Sequence, residues 1–185
     1  MWENFLELDG NILLWIQEYV RNDFLTPIMK FITTLGNAGM IWIAIAVILL
    51  CFKKTRKVGW LVGFSLIGTL VVNNILLKNI VCRIRPYEVI DGLTILVSKP
   101  SEYSFPSGHT GSSFAAGVTL LLTCPKKYGI PAVILACLIA ISRLYIGVHY
   151  PTDVLGGIIT GTFIALFVCC FVQKKVFKER SVLLK

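Results

Sequence analysis

Five apolar runs, at 36–52, 58–77, 107–124, 129–148 and 153–173, decide what this chain can fold into. A hydrocarbon core of ~30 Å takes about 20 helical residues to cross, and each run is near that length. The chain has 185 residues, 56% hydrophobic and 15% charged, well below the ~25% charge usual in soluble domains. It therefore reads as all-α: one domain, a polytopic transmembrane helical bundle of about five spans. Ahead of the runs, 5–19 set Leu8, Ile12, Trp15, Ile16 and Tyr19 at helical spacing, with Asn11, Gln17 and Glu18 between them. That is an amphipathic helix suited to the membrane interface. Residues 24–35 either continue along the interface, with Pro27 in their first turn, or lengthen the first span. The expected division is 1–35 interfacial, 36–173 transmembrane core and 174–185 a basic cytoplasmic tail.

The net charge of +8 does not point to nucleic acid, because the bases sit in short clusters between apolar runs. Lys53, Lys54, Arg56 and Lys57, then Lys126 and Lys127, then the tail from Lys174 alternate so as to share one face. The positive-inside rule makes that face cytoplasmic, and places the N-terminus and the long 78–106 loop outside. Cys51, Cys124, Cys137, Cys169 and Cys170 lie in or beside apolar runs and read as packing residues; Cys82 has no evident partner. No CxxC pair favours zinc or redox chemistry. Glu3, Glu7 and Asp9 stand where a signal peptide would carry bases, so none is expected.

Ionisable residues beside apolar spans are costly and often functional. Three such patches fall at the predicted outer face. In the first, Lys78 precedes Arg85-Pro86 by seven positions, so both cations share a helix face if the helix continues, with Pro86 ending it. Two cations on one face can clamp an oxyanion; a snorkelling lysine and an ordinary loop arginine are the alternative. Arg83 reads as structural. In the second patch, Pro106-Ser107-Gly108-His109 opens a helix, with Ser107 as N-cap and Gly108 allowing backbone N–H groups to approach an anion. His109 can then protonate a leaving oxygen, or it is simply an interfacial histidine. The third patch is Ser142-Arg143, His149 and Asp153. Four residues separate His149 from Asp153, so the carboxylate can hold one ring nitrogen and leave the other free as a nucleophile. A helix-capping aspartate and a snorkelling arginine are the plainer reading. It leaves unexplained why both histidines of the chain join cation-rich patches.

Asn74, one turn before Lys78, orients its ammonium or bonds another helix. Gly157 and Gly161 form a GxxxG pair for close packing, and Tyr87 and Tyr103 flank the loop.

Lys78-x6-Arg85-Pro86, Pro106-Ser107-Gly108-His109 and Ser142-Arg143-x5-His149-x3-Asp153 together resemble the tripartite signature of the type 2 phosphatidic acid phosphatase superfamily. The resemblance implies a membrane lipid phosphatase or diphosphatase that works without metal or other cofactor through a phosphohistidine. In it His149 attacks phosphorus, Asp153 orients His149 and His109 protonates the departing oxygen. Lys78, Arg85, Arg143 and the Ser107-Gly108 backbone hold the phosphoryl oxygens. The implied partners are membrane lipids and a lipid phosphate or polyprenyl diphosphate, with undecaprenyl diphosphate first and phosphatidylglycerol phosphate or phosphatidate second. A lipid phosphotransferase on the same residues and a non-enzymatic membrane scaffold are the alternatives. Vanadium haloperoxidases share the signature, but they are soluble and the spans count against them.

Overall fold

Small residues fix the centre of the bundle. The computed structural model describes residues 2–172, all helix, turn or irregular chain, with no strand among them. Helix α7 (Gly108–Thr123) lies in the middle, against α8 (Lys126–Tyr145), α9 (Pro151–Phe167) and α4 (Arg56–Thr69). A Cβ on Gly157 of α9 would lie 2.8 Å from the Ser107 carbonyl, so the GxxxG pair does bring two backbones together. Some buried hydroxyls pair across helices. Ser65 meets Thr119 at 2.8 Å, and the Trp42 indole donates to Ser113 at 2.9 Å. Many large apolar side chains point the other way. Ile43, Ile67, Ile134, Ile159 and Phe163 are all about half exposed or more, as lipid-facing residues are.

By length and composition three helical stretches can cross a membrane: Arg56–Val89, Lys126–Tyr145 and Pro151–Phe171. Helices α2 (Leu25–Leu35) and α3 (Met40–Cys51), which meet at a 47° bend, make a fourth if they cross as one. The fifth expected span is α7, whose 16 residues fall short of the ~20 needed to cross unaided. The basic tail, like the expected end of the last span at 173, lies outside the described residues.

Helix α1 (Trp2–Trp15) is extended by wide turns to Val20. Leu8, Trp15 and Tyr19 face outward, while Asp9 and Leu13 are buried against the bundle. Leu13 packs with Leu93 and Tyr150. Arg21 donates to the carbonyls of Tyr145 and Thr94, both at 2.8 Å, tying this segment to α8 and to the long loop.

The first patch is built differently from the expectation of one continuous helix. From α4 the chain widens into i→i+5 turns over Leu70–Leu77, regains α geometry in α5 (Lys78–Val81), and stops. Cys82 takes a left-handed conformation (φ 49°) and breaks the helix four residues before the proline. Pro86 begins the next short helix, α6 (Pro86–Val89), at a position where its missing N–H costs nothing. Lys78 and Arg85 therefore converge through a turn in the chain, not by sharing a helix face.

Candidate active site

The three patches meet. Lys78, Arg85, Gly108, His109, Arg143 and His149 all line one cavity of about 1050 Å³. Lys78, Arg85 and Arg143 are each almost fully buried there, which is costly for cations unless an anion is to join them.

The turn between α8 and α9 delivers His149. Gly147 adopts φ 80°, a conformation that favours glycine, and a side chain there would also run into the Thr94 carbonyl at 2.9 Å. His149 Nδ1 then lies 3.3 Å from Asp153 Oδ2, as the four-residue spacing requires. The same oxygen accepts from the Tyr150 backbone N–H at 2.9 Å and from the Ser104 hydroxyl at 2.5 Å. The other carboxylate oxygen accepts from Arg83 Nη1 at 2.7 Å. With Asp153 on Nδ1, the proton belongs on that nitrogen. Nε2 keeps its lone pair, and Arg85 Nη1 stands 3.4 Å from it. Burial, opposed in part by the Asp153 hydrogen bond, pushes the His149 imidazole down to about 4, so the ring is neutral at neutral pH.

Arg85 is held by the loop it faces, through Nε to the Glu102 carbonyl at 2.7 Å and Nη1 to the Val148 carbonyl at 2.9 Å. Lys78 pairs with the Glu102 carboxylate. That hydrogen bond holds the Glu102 carboxyl below its ordinary value, although the side chain is 58% exposed. Arg143 donates from Nη1 to the Thr33 hydroxyl at 2.7 Å, while its Nε has no hydrogen-bond partner among the described residues. His109 bonds through Nε2 to Asn37 Oδ1 at 2.9 Å. Gly36 makes room for that ring, because a Cβ there would stand 2.8 Å from it.

Ser107 caps α7, its hydroxyl accepting from Thr110 Oγ1 at 3.0 Å, and its backbone N–H is used on the Asp153 carbonyl at 3.0 Å. The free backbone donors of this helix end therefore begin at Gly108, one residue later than the sequence implied.

Sequence reasoning missed several residues of this site. Arg83, read as structural, touches Asp153 directly. Ser104, Glu102, Asn37 and Thr33 also contact motif residues, and each partner lies far away in sequence. Asn74 lines the cavity beside Gly108.

The sequence profile of the PAP2 superfamily matches residues 58–177. The chain belongs to that superfamily. An undecaprenyl-diphosphatase of Sulfolobus acidocaldarius is 37% identical over 141 residues, covering 76% of this chain and 68% of that protein. The undecaprenyl-diphosphatase BcrC of Bacillus subtilis is 33% identical over 144 residues, covering 78% of this chain and 73% of BcrC. Among solved structures, the PAP2-type phosphatidylglycerolphosphate phosphatase of Bacillus subtilis superposes with a TM-score of 0.75 at 29% identity, covering 92% of this chain and 87% of that one. A PAP2 phosphatase is a hydrolase of phosphate ester or anhydride bonds on lipids, and the three motifs of this chain occupy one cavity as that chemistry requires.

Proposed function

We propose that this PAP2 phosphatase dephosphorylates a polyprenyl diphosphate, with undecaprenyl diphosphate as the leading candidate, at the extracytoplasmic face. Its cavity supports that reading. Beyond the cations its wall includes the apolar residues Val47 of α3, Trp60, Gly63 and Ile67 of α4, and Leu70 just after it, which form an apolar trough. From Asn74 to Trp60 the lining follows the wide turns that begin at Leu70 and then α4, for ~20 Å. A Cβ placed on Gly63 meets nothing within 4 Å, so the trough is open there. An apolar trough that leads away from the cations suits the chain of a lipid diphosphate. Both undecaprenyl-diphosphatases named above act, by their names, on a single-chain lipid.

In the mechanism, Lys78, Arg85, Arg143 and the Gly108 N–H hold the phosphoryl oxygens. Ser107 shapes this helix end as its N-cap, its hydroxyl accepting from Thr110. His149 Nε2 forms a bond to phosphorus as the P–O bond to the lipid side breaks, and His109 gives its proton to the departing oxygen. Water then attacks the phosphohistidine, His109 takes the water proton, and inorganic phosphate leaves. Asp153 holds the Nδ1 proton throughout. Phosphoryl transfer is chiefly positioning and charge stabilisation, and three cations provide the charge. Among the described residues no three carboxylate, thiol or imidazole groups converge where a metal would sit. Activity is accordingly expected to withstand excess chelator.

Orientation rests on the bases at the opposite end of the bundle, Lys53, Lys54, Lys126 and Lys127. A cysteine placed at Ser98 should react with an impermeant thiol reagent in intact cells, and one at Lys126 only after permeabilisation. The reverse pattern would invert the topology. For the substrate, phosphate release is compared between undecaprenyl diphosphate and phosphatidylglycerol phosphate, with and without Gly63→Leu. The reading predicts preference for the former, and a loss of roughly 10-fold in its kcat/KM on filling the trough, with p-nitrophenyl phosphate turnover unchanged. Preference for the two-chain lipid, or transfer of the phosphate to another hydroxyl without release, would contradict it.

A further inference from the structure

Asp153 has two carboxylate oxygens, and only one of them serves His149. The other is fixed by Arg83 Nη1 at 2.7 Å. Arg83 is itself held on every side. The same nitrogen donates to Thr152 Oγ1 at 2.6 Å, Nη2 donates to Asp9 Oδ2 at 2.8 Å, and the guanidinium carbon lies 3.9 Å from the centre of the Tyr150 ring. Asp9 comes from α1, is 4% exposed, and also accepts from the Thr152 backbone N–H at 3.2 Å and from the Thr152 hydroxyl. Unlike Arg85, two residues on, Arg83 is absent from the cavity wall. Its charge lies behind Asp153, where a phosphate does not reach.

We propose that Arg83 is a positioning residue of the phosphatase reaction and that Asp9 of the N-terminal helix completes it, so that α1 is part of the catalytic unit. The inference rests on reading His149 and Asp153 as nucleophile and orienting carboxylate. Rotation of the Asp153 carboxylate would withdraw Oδ2 from His149, and Arg83 blocks that rotation by pinning Oδ1. A lone cation there would also weaken the pull of Asp153 on the Nδ1 proton. Asp9 offsets it. The row Asp9, Arg83, Asp153 carries one net negative charge, which faces His149 as its ring gains positive character on bonding phosphorus. The other charged and titratable groups around the dyad are Arg85, Arg143, Glu102, His109 and Tyr150. None of them is altered in the variants below.

Charge and shape are separable in the test, which compares pH profiles of kcat/KM for Arg83→Met, Asp9→Asn and Arg83→Lys with wild type. Removing a cation beside the dyad makes it take up a proton more readily, so Arg83→Met should move the acid limb to higher pH by roughly one unit. Removing an anion does the reverse, so Asp9→Asn should move it to lower pH by a smaller amount. Arg83→Lys keeps the charge without the fork; its acid limb should match wild type while kcat stays depressed. Losses in kcat of roughly 10–100-fold, with KM unchanged, are the expected scale for an orienting group. Binding of inorganic phosphate, measured calorimetrically, should be retained in all three, because the clamp is intact. Wild-type pH limbs in both charge-removing variants, or shifts in the same direction, would overturn the proposal and leave Arg83 a structural residue. If Arg83→Met does not fold, the Asp9→Asn and Arg83→Lys profiles decide it alone, since a structural role predicts no displacement to lower pH in the first. Failure of the underlying reading looks different: wild type would then form no phosphohistidine at His149, whatever the variants did.

Discussion

Asp153 uses both of its oxygens on partners within the protein, whereas Lys78 and Arg143, across the cavity, rest on a largely exposed carboxylate and a threonine hydroxyl. One side of the site is complete before any substrate arrives. The other is an arrangement of buried cations that, in the proposed mechanism, receives the phosphate. A nucleophile needs its lone pair fixed in direction before the phosphorus approaches, so its supports must be internal. A phosphate clamp must hold an anion and then release it, so its resting partners must be easily displaced. Glu102 fits that requirement, being paired to Lys78 yet open to solvent.

The comparison breaks most visibly at His149. His149→Ala should abolish turnover of every phosphate ester, and Asp153→Asn should lower kcat by about 10³–10⁴-fold, the scale of an orienting carboxylate in a triad. Neither loss should depend on the leaving group. His109→Ala should cost roughly 10²–10⁴-fold on a lipid monophosphate and clearly less on p-nitrophenyl phosphate, whose leaving group needs no proton. A diphosphate should fall between them. Single-turnover rates are the measurement, and equal losses on both esters would take His109 out of the acid role.

Smaller still is the effect of Glu102→Gln. The pair joins a buried lysine to a largely exposed carboxylate, and with solvent screening that carboxylate it contributes on the order of 1 kcal/mol, so freeing Lys78 should tighten phosphate and vanadate inhibition only about 5-fold. Weaker inhibition would mean that Glu102 helps to hold the anion and does not merely stand in for it.

Protonation sharpens the same contrast. Burial lowers the folded pKa of His149 from 6.5 to about 4. On acidification the unfolded chain takes up its proton first. The stability that this residue contributes is therefore complete above 6.5 and is lost as pH falls towards 4. An NMR titration of labelled histidine, with His109→Asn to assign the two rings, should show His149 neutral at pH 5.5. A midpoint near 6.5 would place the ring in water.

The cations and histidines were legible in the sequence because an ionisable residue at the end of an apolar run has few cheap explanations. The dyad was legible too, since four residues at a helix start admit little freedom. What connects them was not. Arg83 looks like any loop arginine until the turn at Cys82 swings it behind Asp153, and no glycine or proline marks that turn. Asp9 lies 143 residues from the threonine it binds. In 5–19 Leu8, Trp15 and Tyr19 of the apolar stripe do face outward, but Ile16 packs inward and nothing in the stripe pointed to Asp9 as a partner of the site. At 36–39, read only as the start of a span, the structure has a kink that brings Asn37 to His109.

The central claim is that His149 carries the phosphoryl group. Enzyme incubated with radiolabelled polyprenyl diphosphate and quenched in alkali within one turnover should yield a single acid-labile, alkali-stable label on the peptide containing His149. That label should vanish in His149→Ala and persist in His109→Ala. A label on any other residue, or turnover with no labelled protein at all, would contradict the account.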